Sequence, residues 1–236
     1  MQKNKKFITV QTETVDFKSV REMLDNGERV MLFIRHAERP PICTEDKDFG
    51  KHLGLTESGI AMATESGKLF HGINPAVFFA SPMERCRLTA RYFAQGMGLA
   101  DVAVTDAPQI GVQGFYMHPD SYALQSLMKK RGYMEFMEEY LNNGSAPYLN
   151  DIEPSTLATL EWMRSVASCN LSVFVSHDIY ITAFLTAFGV RRFTGQDWIG
   201  FMHGAVISEN PTTGDKSCYY TVPTLEGARE QIRFAH

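Results

Sequence analysis

Val30-Met31-Leu32-Phe33-Ile34-Arg35-His36-Ala37-Glu38-Arg39-Pro40-Pro41 runs from five unbroken apolar residues into a charged turn. An apolar run of that length, without alternation, reads as a strand covered on both faces, as in a parallel sheet flanked by helices. Two later runs share the character. Val77 to Ala80 leads into Ser81-Pro82-Met83-Glu84-Arg85, and Leu171 to Val175 into Ser176-His177-Asp178. In a parallel α/β sheet, ligands bind beyond the carboxyl ends of the strands, so these polar fragments are expected to converge on one place. The expected fold class is α/β, a three-layer sandwich with a mostly parallel central sheet.

Working outward, Val20, Met23 and Leu24 set a helical spacing over Val15 to Leu24 that ends near Asn26-Gly27. Beyond the charged turn, the loop Ile42 to Gly54 leads to Leu55-Thr56-Glu57-Ser58-Gly59, where Thr56 can cap a helix running to about Phe70. Ser81-Pro82-Met83-Glu84 has the form of a capping box with proline at the first helical position, which puts Arg85 in that helix's first turn. A short strand is expected at Val102 to Val104. Asp106 to Pro154 then breaks the alternation of strand and helix, and reads as an insertion around one helix from about Tyr122 to Leu141. Pro154-Ser155 opens a helix to about Val166, and another spans Ile179 to Phe188. Strands at Ala205 to Ser208 and Cys218 to Val222 flank the turn-rich Asn210 to Asp215.

The chain has 236 residues, 44% hydrophobic and 21% charged, which suits one ordinary globular domain, residues 1–236, with the insertion at about 106–154. Lysine and arginine total 23 against 27 acidic residues, which argues against broad nucleic-acid binding. The lead Met1 to Glu13 carries lysines but develops no apolar signal region, and no later stretch is long and apolar enough for a membrane span, so a cytoplasmic protein is expected. Cys43, Cys86, Cys169 and Cys218 are widely spaced, without a Cys-x-x-Cys pair, and are expected to be buried, reduced thiols.

Taken alone, His36 suits a hydrogen-bonded structural role. Arg35 and Arg39 beside it change that, because the planar guanidinium fork matches phosphate oxygens and nearby cations favour a neutral, nucleophilic imidazole. Arg85 at a helix amino terminus adds the exposed amides and dipole that favour an anion. Arg87 faces elsewhere. His177-Asp178 fits a structural helix start as well as a functional pair in which His177 donates to a phosphate oxygen and Asp178 passes a proton to the leaving oxygen. His52, His71, His118, His203 and His236 show no metal-site spacing and read as structural or surface residues. His118, with Tyr116 and Tyr122, has a secondary reading as pocket lining.

In these fragments the chain resembles the histidine phosphatase superfamily, the phosphoglycerate mutase-like proteins. Arg35-His36-Ala37-Glu38-Arg39-Pro40-Pro41 is similar to the Arg-His-Gly-x-Arg-x-Pro signature of its acid phosphatase branch, with alanine in place of glycine, and Ser176-His177-Asp178 is similar to that branch's His-Asp pair. Leu55 to Gly59 and Ser81 to Arg85 resemble segments of the smaller, phosphoglycerate mutase branch. The resemblance covers about residues 28 to 95 and 155 to 190.

It implies a metal-independent phosphomonoesterase. His36 would form a covalent phosphohistidine, with Asp178 first as acid and then as base. Arg35, Arg39, Arg85 and His177 would hold the phosphoryl oxygens. Glu38 is a secondary candidate for the proton donor, since the smaller branch often uses a glutamate. No cofactor is implied, and the expected partner is a phosphorylated small molecule. The alternatives are a catalytically silent phosphate-binding protein on the same fold, a phosphomutase, and a metal-dependent HD-type phosphohydrolase suggested only by His177-Asp178.

Overall fold

The computed structural model describes residues 8–43 and 48–225. The lysine-bearing lead up to residue 7, positions 44–47 of the loop before Gly54, and His236 lie outside the described residues, as does the side chain of Tyr122. Seven strands form one sheet: β1 (Thr9–Asp16), β2 (Arg29–Arg35), β3 (Ala76–Ala80), β4 (Val104–Asp106), β5 (Leu171–Ser176), β6 (Gly204–Glu209) and β7 (Lys216–Val222). Their order is β1-β7-β6-β2-β5-β3-β4. Every neighbouring pair is parallel except those that β6 makes with β2 and β7. A short turn joins β6 and β7, which is why they pair as a hairpin, whereas each parallel pair is joined through helices.

The central strands are buried along their length, as their unbroken apolar runs require. Alternate residues of β2 divide between two cores. Val30, Leu32 and Ile34 pack under α1 (Phe17–Asp25), α2 (Glu57–Lys68) and α3 (Glu84–Gly96), while Met31 and Phe33 face α5 (Tyr133–Asn143), α6 (Ile152–Val166) and α7 (Asp178–Phe188). The result is the three-layer α/β sandwich expected from sequence. Thr56 caps α2 as expected, its hydroxyl accepting from Gly59 N at 3.0 Å. Gly59 lies so close to the Glu38 backbone that an added Cβ would sit 2.1 Å from its carbonyl oxygen, and Thr56 N donates to that same oxygen. The start of α2 is thereby clamped to the turn after β2.

Several boundaries differ from the sequence reading, each for a local reason. The polar lead-in contains β1, an edge strand paired with β7, so the first helix starts only at Phe17, capped by Asp16. The capping box at Ser81 does not form: the chain bends at Pro82 and Met83, α3 begins at Glu84, and the Ser81 hydroxyl is bonded to His177 instead. Arg85 is nevertheless in the first turn. The single helix expected over Tyr122 to Leu141 is two, α4 (Ser121–Arg131) and α5, broken at Gly132, whose positive φ of 89° suits glycine. The segment between β4 and α6 packs through α5 against α7. Among the described residues no helix is long and apolar enough to cross a membrane.

Candidate active site

The end of β2 is held in place from both sides. Arg35 N donates to His203 O, and His36 N continues the ladder to Ser176 O on β5, both at 2.9 Å. Ala37 N donates to the Thr89 hydroxyl, which in turn donates to the Arg85 carbonyl, tying this turn to α3. Ala37 is fully buried and is not among the residues with positive φ, so alanine fits where the signature has glycine. His36 is only 3% exposed. Its Nδ1 lies 2.8 Å from the Ala37 carbonyl oxygen, which can only accept, so Nδ1 carries the proton and Nε2 keeps its lone pair. Burial, then the charge of Arg85, then His177 and Arg35, hold this imidazole well below the ordinary histidine range, so it is neutral near pH 7.

Arg35 and Arg85 lie close to it, and Arg39 lies near both of them. Arg35 donates through one terminal nitrogen to Ile199 O, lies 3.3 Å from an Asp178 oxygen through the other, and stacks 4.4 Å from the Phe201 ring centroid. Arg85 donates to Gly50 O at 2.9 Å, and a second terminal nitrogen is 3.4 Å from His177 Nδ1. Arg39 donates to Pro40 O. Burial, and next the charge of Arg85, bring Arg39 down to about 10. The Nε–H of each of these three arginines is buried without a protein partner. A buried cationic donor without a protein partner is costly, so each of these three N–H groups is open to an acceptor oxygen.

His177 sits across from His36, the two ring centroids 5.5 Å apart. Because Arg85 can only donate, the lone pair of His177 faces it at Nδ1, and Nε2–H donates to the Ser81 hydroxyl at 2.9 Å. Burial, then Arg85, keeps His177 neutral. Asp178 opens α7. Its Oδ1 accepts from Ile179 N at 3.0 Å, and its Oδ2 accepts from Trp198 Nε1 at 3.2 Å and faces Arg35. Burial opposes its charge, but Arg35, the Trp198 hydrogen bond and His177 outweigh burial and hold the carboxyl below the usual aspartate value.

Glu38, the secondary acid, is occupied elsewhere: its carboxylate accepts from the hydroxyls of Thr56 at 2.8 Å and Ser58 at 3.4 Å. Arg87 pairs with Asp106 on the surface. His118 is exposed and Tyr116 is fully buried against Thr156, so neither lines the site. The expectation of four buried thiols holds for Cys86 and Cys218 but not for exposed Cys43 or half-buried Cys169, which lie in loops; none of the four forms a disulfide. Among the described residues no three His, Cys, Asp or Glu side chains gather as a metal site.

Sequence reading missed the aromatic residues that complete the acid side. Trp198 and Phe201 come from the loop between α7 and β6, and Tyr133 from the first turn of α5. The Tyr133 ring meets Trp198 edge-on, centroids 6.0 Å apart. Its hydroxyl is buried in the field of Asp178, Arg35 and Arg39, without a partner in hydrogen-bond geometry. Nothing in the local sequence around Tyr133 or Trp198 marks them, because their role arises only from where α5 and the loop cross above α7.

The histidine phosphatase superfamily (branch 1) profile matches residues 31–109, the stretch that holds Arg35 to Pro41, Leu55 to Gly59 and Ser81 to Arg85. Over that stretch, about a third of the chain, it is similar to the histidine phosphatase superfamily. No curated protein sequence matches it. Among solved structures it is similar to a mycobacterial glucosyl-3-phosphoglycerate phosphatase, at TM-score 0.54 and 14% identity over 82% of this chain and 97% of that one. It is also similar to phosphoglycerate mutase from Bacillus anthracis, at 0.52 and 13% over 86% and 96%. A third is phosphoserine phosphatase from Entamoeba histolytica, solved with 3-phosphoglyceric acid, at 0.51 and 15% over 82% and 97%. At these identities the likeness is one of fold, the phosphoglycerate mutase-like fold expected from the motifs.

Proposed function

We propose that the protein is a metal-independent phosphomonoesterase that works through a covalent phosphohistidine on His36. In the first step His36 Nε2 forms a bond to phosphorus as the bond to the alcohol oxygen breaks, and Asp178, protonated at that stage, gives its proton to the departing oxygen. In the second step Asp178 takes a proton from water, which attacks phosphorus and frees His36. Arg35, Arg39 and Arg85 supply the donors for the equatorial oxygens, and His177 sets the orientation of Arg85. The observation that carries this reading is one neutral imidazole with an available lone pair, enclosed by three guanidinium groups whose Nε–H donors have no protein partner.

The substrate class is a phosphorylated small molecule, in keeping with the phosphatases among the proteins of similar fold. Hydrolysis of p-nitrophenyl phosphate by the unaltered protein and by His36→Ala tests the assignment. The expected result is turnover that disappears with the imidazole. Near-normal turnover in His36→Ala would falsify the nucleophile. Oxyanion binding without turnover across a broad substrate panel would instead indicate a silent phosphate-binding protein.

A further inference from the structure

The acid of the proposed mechanism presents a conflict. Asp178 must hold a proton to release the alcohol, yet Ile179 N, Trp198 Nε1 and Arg35 all favour its charged form. One of these three is different in kind. Arg35 also has a buried Nε–H without a protein partner, so an arriving phosphate offers it strong acceptors and competes with Asp178 for its charge. Trp198 is neutral and carries a single N–H donor. It can neither be drawn off by the phosphate nor take the proton itself.

We infer that Trp198 is a positioning residue: its indole N–H keeps the Asp178 carboxyl in place when the substrate phosphate draws Arg35 away, so that the oxygen Arg35 vacates takes up the proton delivered to the leaving group. The geometry supports this atom by atom. Arg35 and Trp198 share Oδ2, while Oδ1 is held by Ile179 N of the helix itself. Once Arg35 turns to phosphate, Oδ2 keeps one lone pair on Trp198 and has the other free. Without the indole N–H, the carboxyl keeps only Ile179 N on Oδ1 and the neutral Tyr133 hydroxyl nearby. Trp198 is in turn steadied by Tyr133 and Phe193, edge-on at centroid distances of 6.0 Å and 6.1 Å. The groups facing Asp178 from every side are Arg35 at the end of β2, Arg39 in the turn after it, Arg85 on α3, Tyr133 on α5, and its neighbour His177.

This inference rests on the phosphatase reading, and its test is separable from that reading. Trp198→Phe keeps an aromatic ring and removes only the donor. With glycerol 2-phosphate, a poor leaving group, kcat is expected to fall about 10-fold, a part of the 10²–10⁴ that general acid catalysis supplies. With p-nitrophenyl phosphate, whose leaving group needs little protonation, kcat is expected to stay within about twofold, and the split is expected to vanish in an Asp178→Asn background. Equal losses for both substrates, or none, overturn the inference while leaving His36-dependent turnover, and hence the phosphatase reading, intact.

A second measurement needs no variant at position 198. Titrating the unaltered protein with tungstate near neutral pH, in buffers of different ionisation enthalpy, reads proton uptake on anion binding directly. About one proton is expected to be taken up, and none in Asp178→Asn. Binding without uptake, or uptake that persists in Asp178→Asn because His36 or His177 takes the proton, overturns it.

Discussion

The two sides of the site are built differently. The phosphate side is made where β2, β3 and β5 end side by side, and its parts are locked to the sheet: His36 N and Ser81 N each donate to β5 carbonyls, and Thr89 ties Ala37 to Arg85. The leaving-group side is made by elements that merely lean over that edge. Asp178 opens α7 just past the end of β5, and Trp198 and Tyr133 reach it from a loop and from a separate helix. In the proposed mechanism, anion binding belongs to the framework of the fold, and the tuning of the acid belongs to its periphery. This division predicts that lesions on the first side are blind to the alcohol, whereas lesions on the second are sensitive to it.

The largest effect is expected from His36→Ala, where loss of the nucleophile should lower kcat by at least about 10³-fold for every phosphomonoester. Asp178→Asn comes next. It should cost about 10²- to 10³-fold with poor leaving groups and much less with p-nitrophenyl phosphate, measured as a slope of log kcat against leaving-group pKa. Arg85→Ala should lower kcat/KM by about 10²-fold, equally for both substrates, because it removes a donor to the phosphoryl oxygens. A leaving-group dependence in Arg85→Ala, or its absence in Asp178→Asn, breaks the comparison.

Two smaller effects sharpen it. Gly59→Ala touches no charge, yet its Cβ would strike the Glu38 carbonyl in the turn after His36, and its three nearest atoms are all Glu38 backbone. A stability loss of about 1–3 kcal/mol is expected in urea unfolding, with activity on all leaving groups reduced alike. The pH dependence of stability follows from His36 and His177. Both are held neutral in the folded protein below their ordinary value of 6.5, so the unfolded chain binds more protons as pH falls. Their contribution is fully present above 6.5 and is lost below it, so Tm should fall as the solution is acidified, and less steeply in His177→Gln.

How much of this was legible in sequence follows the same division. The unbroken runs at Val30 to Ile34 and Leu171 to Val175 announce a buried parallel sheet, and residues directly after such runs have little freedom about where they go. Arg35, His36, Arg39, Arg85 and Asp178 were placed together on that ground, and the structure brings them together. Ser81 was misread, because a hydroxyl three residues before a glutamate looks like a cap until a histidine from another strand claims it. Glu38 was ambiguous for a similar reason: an acid beside a nucleophile is suggestive, but its partners Thr56 and Ser58 lie on the next helix. β1 escaped notice as an edge strand of threonine, valine and polar residues with little buried surface. Trp198 and Tyr133 were invisible, since their meeting depends on how α5 packs on α7, which no local pattern encodes.

The central claim is that phosphorus becomes bonded to His36. Rapid acid-free quenching of the protein during turnover of a phosphomonoester, followed by peptide mass spectrometry, tests it most directly. The account predicts a phosphoryl group on the peptide containing His36, stable to base, lost in acid, and absent from His36→Ala. Steady turnover with no such adduct, or with the label on another residue, would contradict it.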